Sequence, residues 1–271
     1  MISLSKRLSL REVIRSTGFR KSEELLLESS IRAFSHLEAM GVDKKAMIIG
    51  GFAFRLYIAE LYKGRIASGA PTDLDLAFTE VPPQLMRSLR QDMLIASGKA
   101  VTFDSRQVRV SEEVTTNFPV YHLSPDKMDQ LPFLDDVCIF NGRVGKIVIR
   151  PEDLQRARLL DVYIGDGVTR VDGTLRVADP GYILASVVNP DALTGTRAWR
   201  TILVLASLGK EDFKEVVERY VDIVTASGIS TQELAQPLAL LNDMGKRKGF
   251  ADQVAQFFDG VQTKMGKILE A

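Results

Sequence analysis

Ala46 to Ile49 is a short apolar run that ends in Gly50-Gly51, and the chain then continues as FAFRLYIAELY, apolar except for Arg55, Glu60 and the tyrosine hydroxyls. The second tract is too long for one strand and too apolar to stand in water. It reads as a buried helix entered from a strand through a glycine turn. Residues 64 to 72, GRIASGAPT, hold Gly64, Gly69 and Pro71 among small polar residues and form a loop. Asp73 to Thr79, DLDLAFT, then alternates polar and apolar with the period of a strand. Strand, turn, helix, loop and strand in this order require a layered arrangement in which a sheet is covered by helices.

The flanks extend the pattern. Ser22 is placed as an N-cap ahead of Leu27, Ile31, Phe34 and Leu37, a helical stripe that ends at Gly41. Pro82 and Pro83 stop the strand, and Gln84 to Ala96 reads as a helix. Between residues 100 and 165 the β-like stretches are Gln107 to Val110, Phe118 to Leu123, Val137 to Phe140, Gly145 to Ile149 and Leu159 to Ile164, with Asn141-Gly142 as a turn between two of them. GDGVTRVDG reads as a second hairpin leading into a strand over Leu175 to Val177. From Pro180 onward the pattern is helical: Tyr182 to Val188, Arg197 to Leu208, Glu211 to Ser227, Thr231 to Met244 and Ala251 to Leu269. The expected class is α+β, with an N-terminal helical arm over 1–45, a mixed core over 46–180 and a C-terminal helical domain over 181–271.

Composition excludes several functions. The 271 residues carry 35 Lys plus Arg against 35 Asp plus Glu, so nucleic-acid binding has to come from a local patch. One cysteine, Cys138, and two histidines, His36 and His122, allow neither an intramolecular disulfide nor a Cys/His zinc site, and suit a reducing cytoplasm. No apolar run approaches the ~18 residues of a membrane helix. The first 21 residues hold six cations against Glu12, which reads as a basic helical arm with Leu4, Leu8 and Val13 inward. His36 and His122 read as structural, Cys138 as a small buried apolar residue, Trp199 as core or as a lid between domains, and Lys246-Arg247-Lys248 as a solvated basic loop.

The residues that carry chemistry are the glycine pair and the D-x-D that follows. Alternation puts Asp73 and Asp75 on one face of their strand, about 6–7 Å apart along it. Two carboxylates so placed can hold one divalent cation or bridge two, as phosphoryl and nucleotidyl transfer require. A turn without side chains at a helix start lets backbone N–H groups and the helix dipole approach phosphate.

IIGGFAFRLY followed by PTDLDLAF resembles the nucleotidyltransferase superfamily of the DNA polymerase β type, and within it the AbiEii-like abortive-infection branch. The resemblance implies a nucleotidyltransferase-type mixed sheet with flanking helices, ahead of the C-terminal helical domain. It implies Gly50, Gly51 and Thr72 as nucleotide contacts, and Asp73 and Asp75 as catalytic ligands of Mg²⁺ or Mn²⁺. The family's third carboxylate is matched by Asp161 in RLLDVYIGDG, with Asp104, Asp135 and Asp136 as competitors near other β-like runs. Family members carry an Arg just ahead of the Thr, where this chain has Arg65 seven residues earlier. They also carry a Lys after the ILA segment, where this chain has Ser186 and Val187, so Arg197 or Arg200 takes its place in binding phosphate. The implied activity transfers a nucleoside monophosphate from an NTP to an acceptor hydroxyl on an RNA end, a protein or a small molecule. A toxin role in phage defence, with an antitoxin protein as partner, belongs to the same branch. The alternatives are a nucleotidyltransferase-fold module that has lost chemistry and senses nucleotide or binds a partner, and an RNA-binding protein resting on the two basic clusters.

Overall fold

A computed structural model describes residues 27, 30, 31, 33–35, 37–39, 41–61, 73–81, 103–111, 114–121, 136–165, 170–190 and 192–270. These residues fall into two compact units, one of the residues up to 143 together with 149–178, the other of 144–148 together with 179–270. The chain is mixed α and β, and no helix among the described residues is long and apolar enough to cross a membrane.

The first unit is built on a five-stranded mixed sheet. Its strands are β1 (Ala46–Ile49), β2 (Asp73–Phe78), β5 (Asp136–Asn141), β8 (Arg158–Gly165) and β9 (Arg170–Val177), in the order β5-β2-β1-β9-β8. β1 runs antiparallel to β2 and parallel to β9, β2 runs parallel to β5, and β8 and β9 form an antiparallel pair. Every residue of β1 is buried, which is why this central strand is continuously apolar. Helix α1 (Gly50–Leu61) leaves β1 directly and is buried from Phe52 to Tyr57, Arg55 included. The Tyr57 hydroxyl donates to the Ala178 carbonyl at 2.9 Å, and the Ala178 N–H donates to Ile48 O at 2.9 Å, so the far end of β9 is tied to both β1 and α1.

Leu27, Ile31, Phe34 and Leu37 are buried on helical backbone, as their spacing requires. The Ile31 side chain lies so close to Gly173 that a Cβ there would stand 2.7 Å from Ile31 Cγ2. The hairpin expected over 165–173 is present as the antiparallel β8–β9 pair, but its second strand starts at Arg170 rather than Leu175, and the glycine admits a packed helix rather than a bend. Strands β3 (Phe103–Ser111) and β4 (Val114–Tyr121) form a separate antiparallel ribbon. The chain bends at Gly142, φ +72°, between β5 and β6 (Arg143–Val144), as the Asn141-Gly142 signal implies, and a further turn at Gly145, φ +60°, joins β6 to β7 (Ile147–Val148). Helix α2 (Pro151–Arg156) was not anticipated, although Pro at its first position and Glu152 and Asp153 in its first turn are helix-start signals. Asp153 is buried and accepts from the Arg150 backbone N–H at 2.7 Å and from its guanidinium at 3.1 Å.

The second unit contains five helices: α3 (Pro180–Val187), α4 (Gly195–Ser207), α5 (Lys210–Ala226), α6 (Thr231–Lys248) and α7 (Ala251–Glu270). α3 is buried throughout and capped by Asp179, which accepts from Tyr182 N–H at 3.0 Å. Asp179 and Asp222 both pair with buried Arg219, at 3.2 and 2.8 Å. Tyr220 meets Phe257 edge-on at 5.1 Å and donates its hydroxyl to Val188 O at 2.7 Å, and burial pushes its phenol well above the ordinary range. Lys246-Arg247-Lys248, expected in a loop, forms the last turn of α6 before Gly249 at φ +79°. Cations there complement the negative end of the helix, which is the physical reason the helix runs on through them.

Candidate active site

The glycine turn and the D-x-D strand meet. Ile49, the last residue of β1, pairs with Asp75 of β2, so the start of α1 and the half-buried Asp75 are adjacent. Gly50 has φ +69°, a backbone conformation that L side chains rarely adopt. A Cβ at Gly50 would overlap the Asp75 carboxylate and stand 2.8 Å from its Cγ. The glycine is thus demanded twice, by its backbone angle and by the carboxylate lying against its Cα. Its demonstrable task is to make room for Asp75, beside the positive end of the helix dipole where an anion is favoured. Gly51 follows in the first turn of α1.

On the other side of β2, Asp73 pairs with Asp136 of β5 and Asp75 with Cys138. In backbone register Asp73 therefore stands opposite Asp136, and Asp75 lies two residues further along β2. The strand that carries Asp161 does not lie beside β2. Asp161 is in mid-β8, paired with Thr174, and β9 and β1 intervene before β2. Three strand spacings and four residues of rise separate it from Asp75, roughly 20 Å. Leu159, two residues before Asp161 on the same strand, is 57% exposed, and Leu160 is buried, so that alternate face of the edge strand meets solvent.

The remaining candidates are dispersed. Asp104 pairs with Val120 in the separate β3–β4 ribbon. Arg197 belongs to the helical unit, exposed on α4, where its Nη1 donates to Ala192 O at 2.8 Å. Arg200 is half-buried on the same helix, and Ser186 is buried on α3, its hydroxyl donating to Ile183 O at 2.8 Å. Arg65, Thr72, Asp135, His36 and His122 lie outside the described residues, as do the expected helix over 84–96 and the basic first 21 residues.

Among the described residues no group of three or more His, Cys, Asp or Glu side chains is placed to hold a metal ion. By backbone register Asp73 and Asp136 occupy paired positions and Asp75 follows two residues along β2; three carboxylates are a residue set whose chemistry fits a hard cation such as Mg²⁺ or Mn²⁺. No protein-family model matches the sequence, and no curated protein matches it.

Proposed function

We propose that the chain is a divalent-cation-dependent nucleotidyltransferase of the DNA polymerase β type, similar to the AbiEii-like branch, moving a nucleoside monophosphate from an NTP to an acceptor hydroxyl. The observation that carries the reading is the seat of the Asp75 carboxylate against Gly50 at the head of α1, two residues along β2 from Asp73, which is itself in register with Asp136 of β5. Acidic positions at one strand end are not needed for stability, because like charges close together oppose folding.

In this reading Asp73, Asp75 and Asp136 hold Mg²⁺ or Mn²⁺, and Asp136 takes the third place that Asp161 was expected to fill. A bound cation there supplies neutralisation of the triphosphate charge. The N–H groups at the start of α1 orient phosphate oxygens. One of the three carboxylates takes the proton of the acceptor hydroxyl as its oxygen bonds to the α-phosphorus, and the bond to the β-phosphate oxygen breaks to release pyrophosphate.

The test is transfer from each of the four α-labelled triphosphates to total RNA and to cell protein, with Mg²⁺ or Mn²⁺, alongside thermal shift. Asp73→Asn, Asp75→Asn and Asp136→Asn should each lower transfer by at least about a hundredfold, and Asp161→Asn should retain it. If Asp161→Asn is inactive and Asp136→Asn active, the register argument fails. Thermal stabilisation by NTP and metal with no transfer to any acceptor assigns the chain instead to the nucleotide-sensing class.

A further inference from the structure

A different surface, in the helical unit alone, joins charge to aromatic area. Gly195 and Trp199 lie one turn apart on α4, and Met244 and Lys248 one turn apart on α6. A Cβ at Gly195 would meet Met244 Cε at 3.8 Å, and Lys248 Nζ stands 5.6 Å from the Trp199 ring centroid. The two helices therefore meet along these rungs, and the second ends in the half-buried indole. Phe250, just beyond Gly249, sets its ring 5.9 Å from Trp199 at an interplanar angle of 57° and is itself half-buried. Lys246, Arg247 and Lys248 are all exposed in the adjoining last turn. Among the described residues none of the three joins an ion pair, although Asp243 lies a turn back on α6 and Asp252 opens α7.

Cations at a helix C-terminus need no function, since they offset the dipole. The aromatic pair is not explained that way. Core aromatics in this unit, Tyr220 and Phe257, are fully enclosed, whereas Trp199 and Phe250 are only half-buried beside three exposed cations. We propose that this corner of α4 and α6 binds single-stranded nucleic acid, with phosphates on Lys246, Arg247 and Lys248 and a base stacked on the Trp199–Phe250 pair. The chemistry is that of single-strand binders, in which cations track the backbone and aromatic faces take unpaired bases without reading sequence. An apolar protein partner would not need the three charges, and an acidic one would not need the open rings. The cation over Trp199 is a weak exposed contact that a base can displace.

Trp199 is the chain's only tryptophan, so its fluorescence reports this surface in the full-length protein. Titration with a short oligouridylate should quench it saturably, and log K should fall against log salt with a slope of about −2, as expected for three phosphate contacts on a single strand. The triple variant Lys246→Ala, Arg247→Ala, Lys248→Ala, whose folding is checked by circular dichroism, should lose most of that slope. Phe250→Leu should keep the slope and bind about tenfold more weakly. The proposal is overturned if oligouridylate does not quench at low salt or if the triple variant keeps the wild-type slope. It is equally overturned if inorganic polyphosphate quenches as well as RNA while Phe250→Leu binds RNA normally, which would mark a polyanion surface indifferent to bases. No step of this test uses nucleotidyl transfer, so it stands or falls apart from that reading.

Discussion

Gly50 and Asp75 are nearest neighbours across the start of α1, and the consequences of changing either depend on the other. Gly50→Ala must place a Cβ both at φ +69° and inside the Asp75 carboxylate. Gly41 supplies the control, since it has the same φ of +69° and nothing within 4 Å of a built Cβ. Gly41→Ala should therefore cost only the left-handed penalty, about 1 kcal/mol. Gly50→Ala should cost that and the displacement of a half-buried carboxylate besides, about 2–4 kcal/mol in urea unfolding. Adding Asp75→Ala to Gly50→Ala should recover part of the loss, so the pair should be clearly less than additive. Equal costs at the two glycines would show that Asp75 moves aside freely, and the seat would then carry no argument for a built site.

The start of α6 gives a proton-linked prediction. Ser230 caps the helix, and Glu233 reaches back to accept from the Ser230 backbone N–H at 2.9 Å and its hydroxyl at 2.8 Å while pairing with Lys146 at 3.0 Å. The Ser230 backbone hydrogen bond, then the bond from Lys146 and that from the Ser230 hydroxyl, hold the carboxyl down to about 2 from 4.5. A depressed carboxyl contributes stability that is complete above its unfolded value and is lost as pH falls from about 4.5 toward 2. Glu233→Gln keeps a capping acceptor and removes the charge. Wild type should therefore melt above Glu233→Gln at neutral pH, with the difference shrinking through that window, and a gap constant down to pH 3 would rule the linkage out. All five C-terminal helices were legible in sequence to within a few residues. Local signals sufficed because helix period and caps are local. The hairpin of β8 and β9 was legible, but the start of β9 at Arg170 was not, because Gly173 interrupts the strand pattern until Ile31 is seen against it, and α2 was not because its six residues lie among strands. Asp73, Asp75 and the glycine turn were legible for the same local reason. The partner strand of β2 was not, since strand order is decided by long-range pairing, and apolar alternation around Asp161 looks alike in an edge strand and a central one.

The division of the chain into two units is not a division of its sequence. Residues 144–148 leave the strands that flank them and belong with the helices, so a cut at 178/179 yields a helical unit missing a piece. That piece is attached by chemistry that can be named. Ile147 is fully buried, Val148 N–H donates to Ser227 Oγ at 3.0 Å, and Lys146 pairs with Glu233 at 3.0 Å. Burial of an isoleucine is worth about 1.5–3 kcal/mol, the single hydrogen bond about 1 and the exposed ion pair less than that. A fragment of residues 179–271 should accordingly unfold at lower urea than the same fragment carrying residues 144–148 on a flexible glycine-serine linker, by about 2–4 kcal/mol once linker closure is subtracted. Trp199 lies in both fragments and reports both transitions. Ile147→Ala in the linked fragment should remove most of the gain, which separates burial from the mere presence of the linker. Equal stability of the two fragments would mean that the segment only lies along the helices, and that the contiguous boundary at 181 describes an independent folding unit after all.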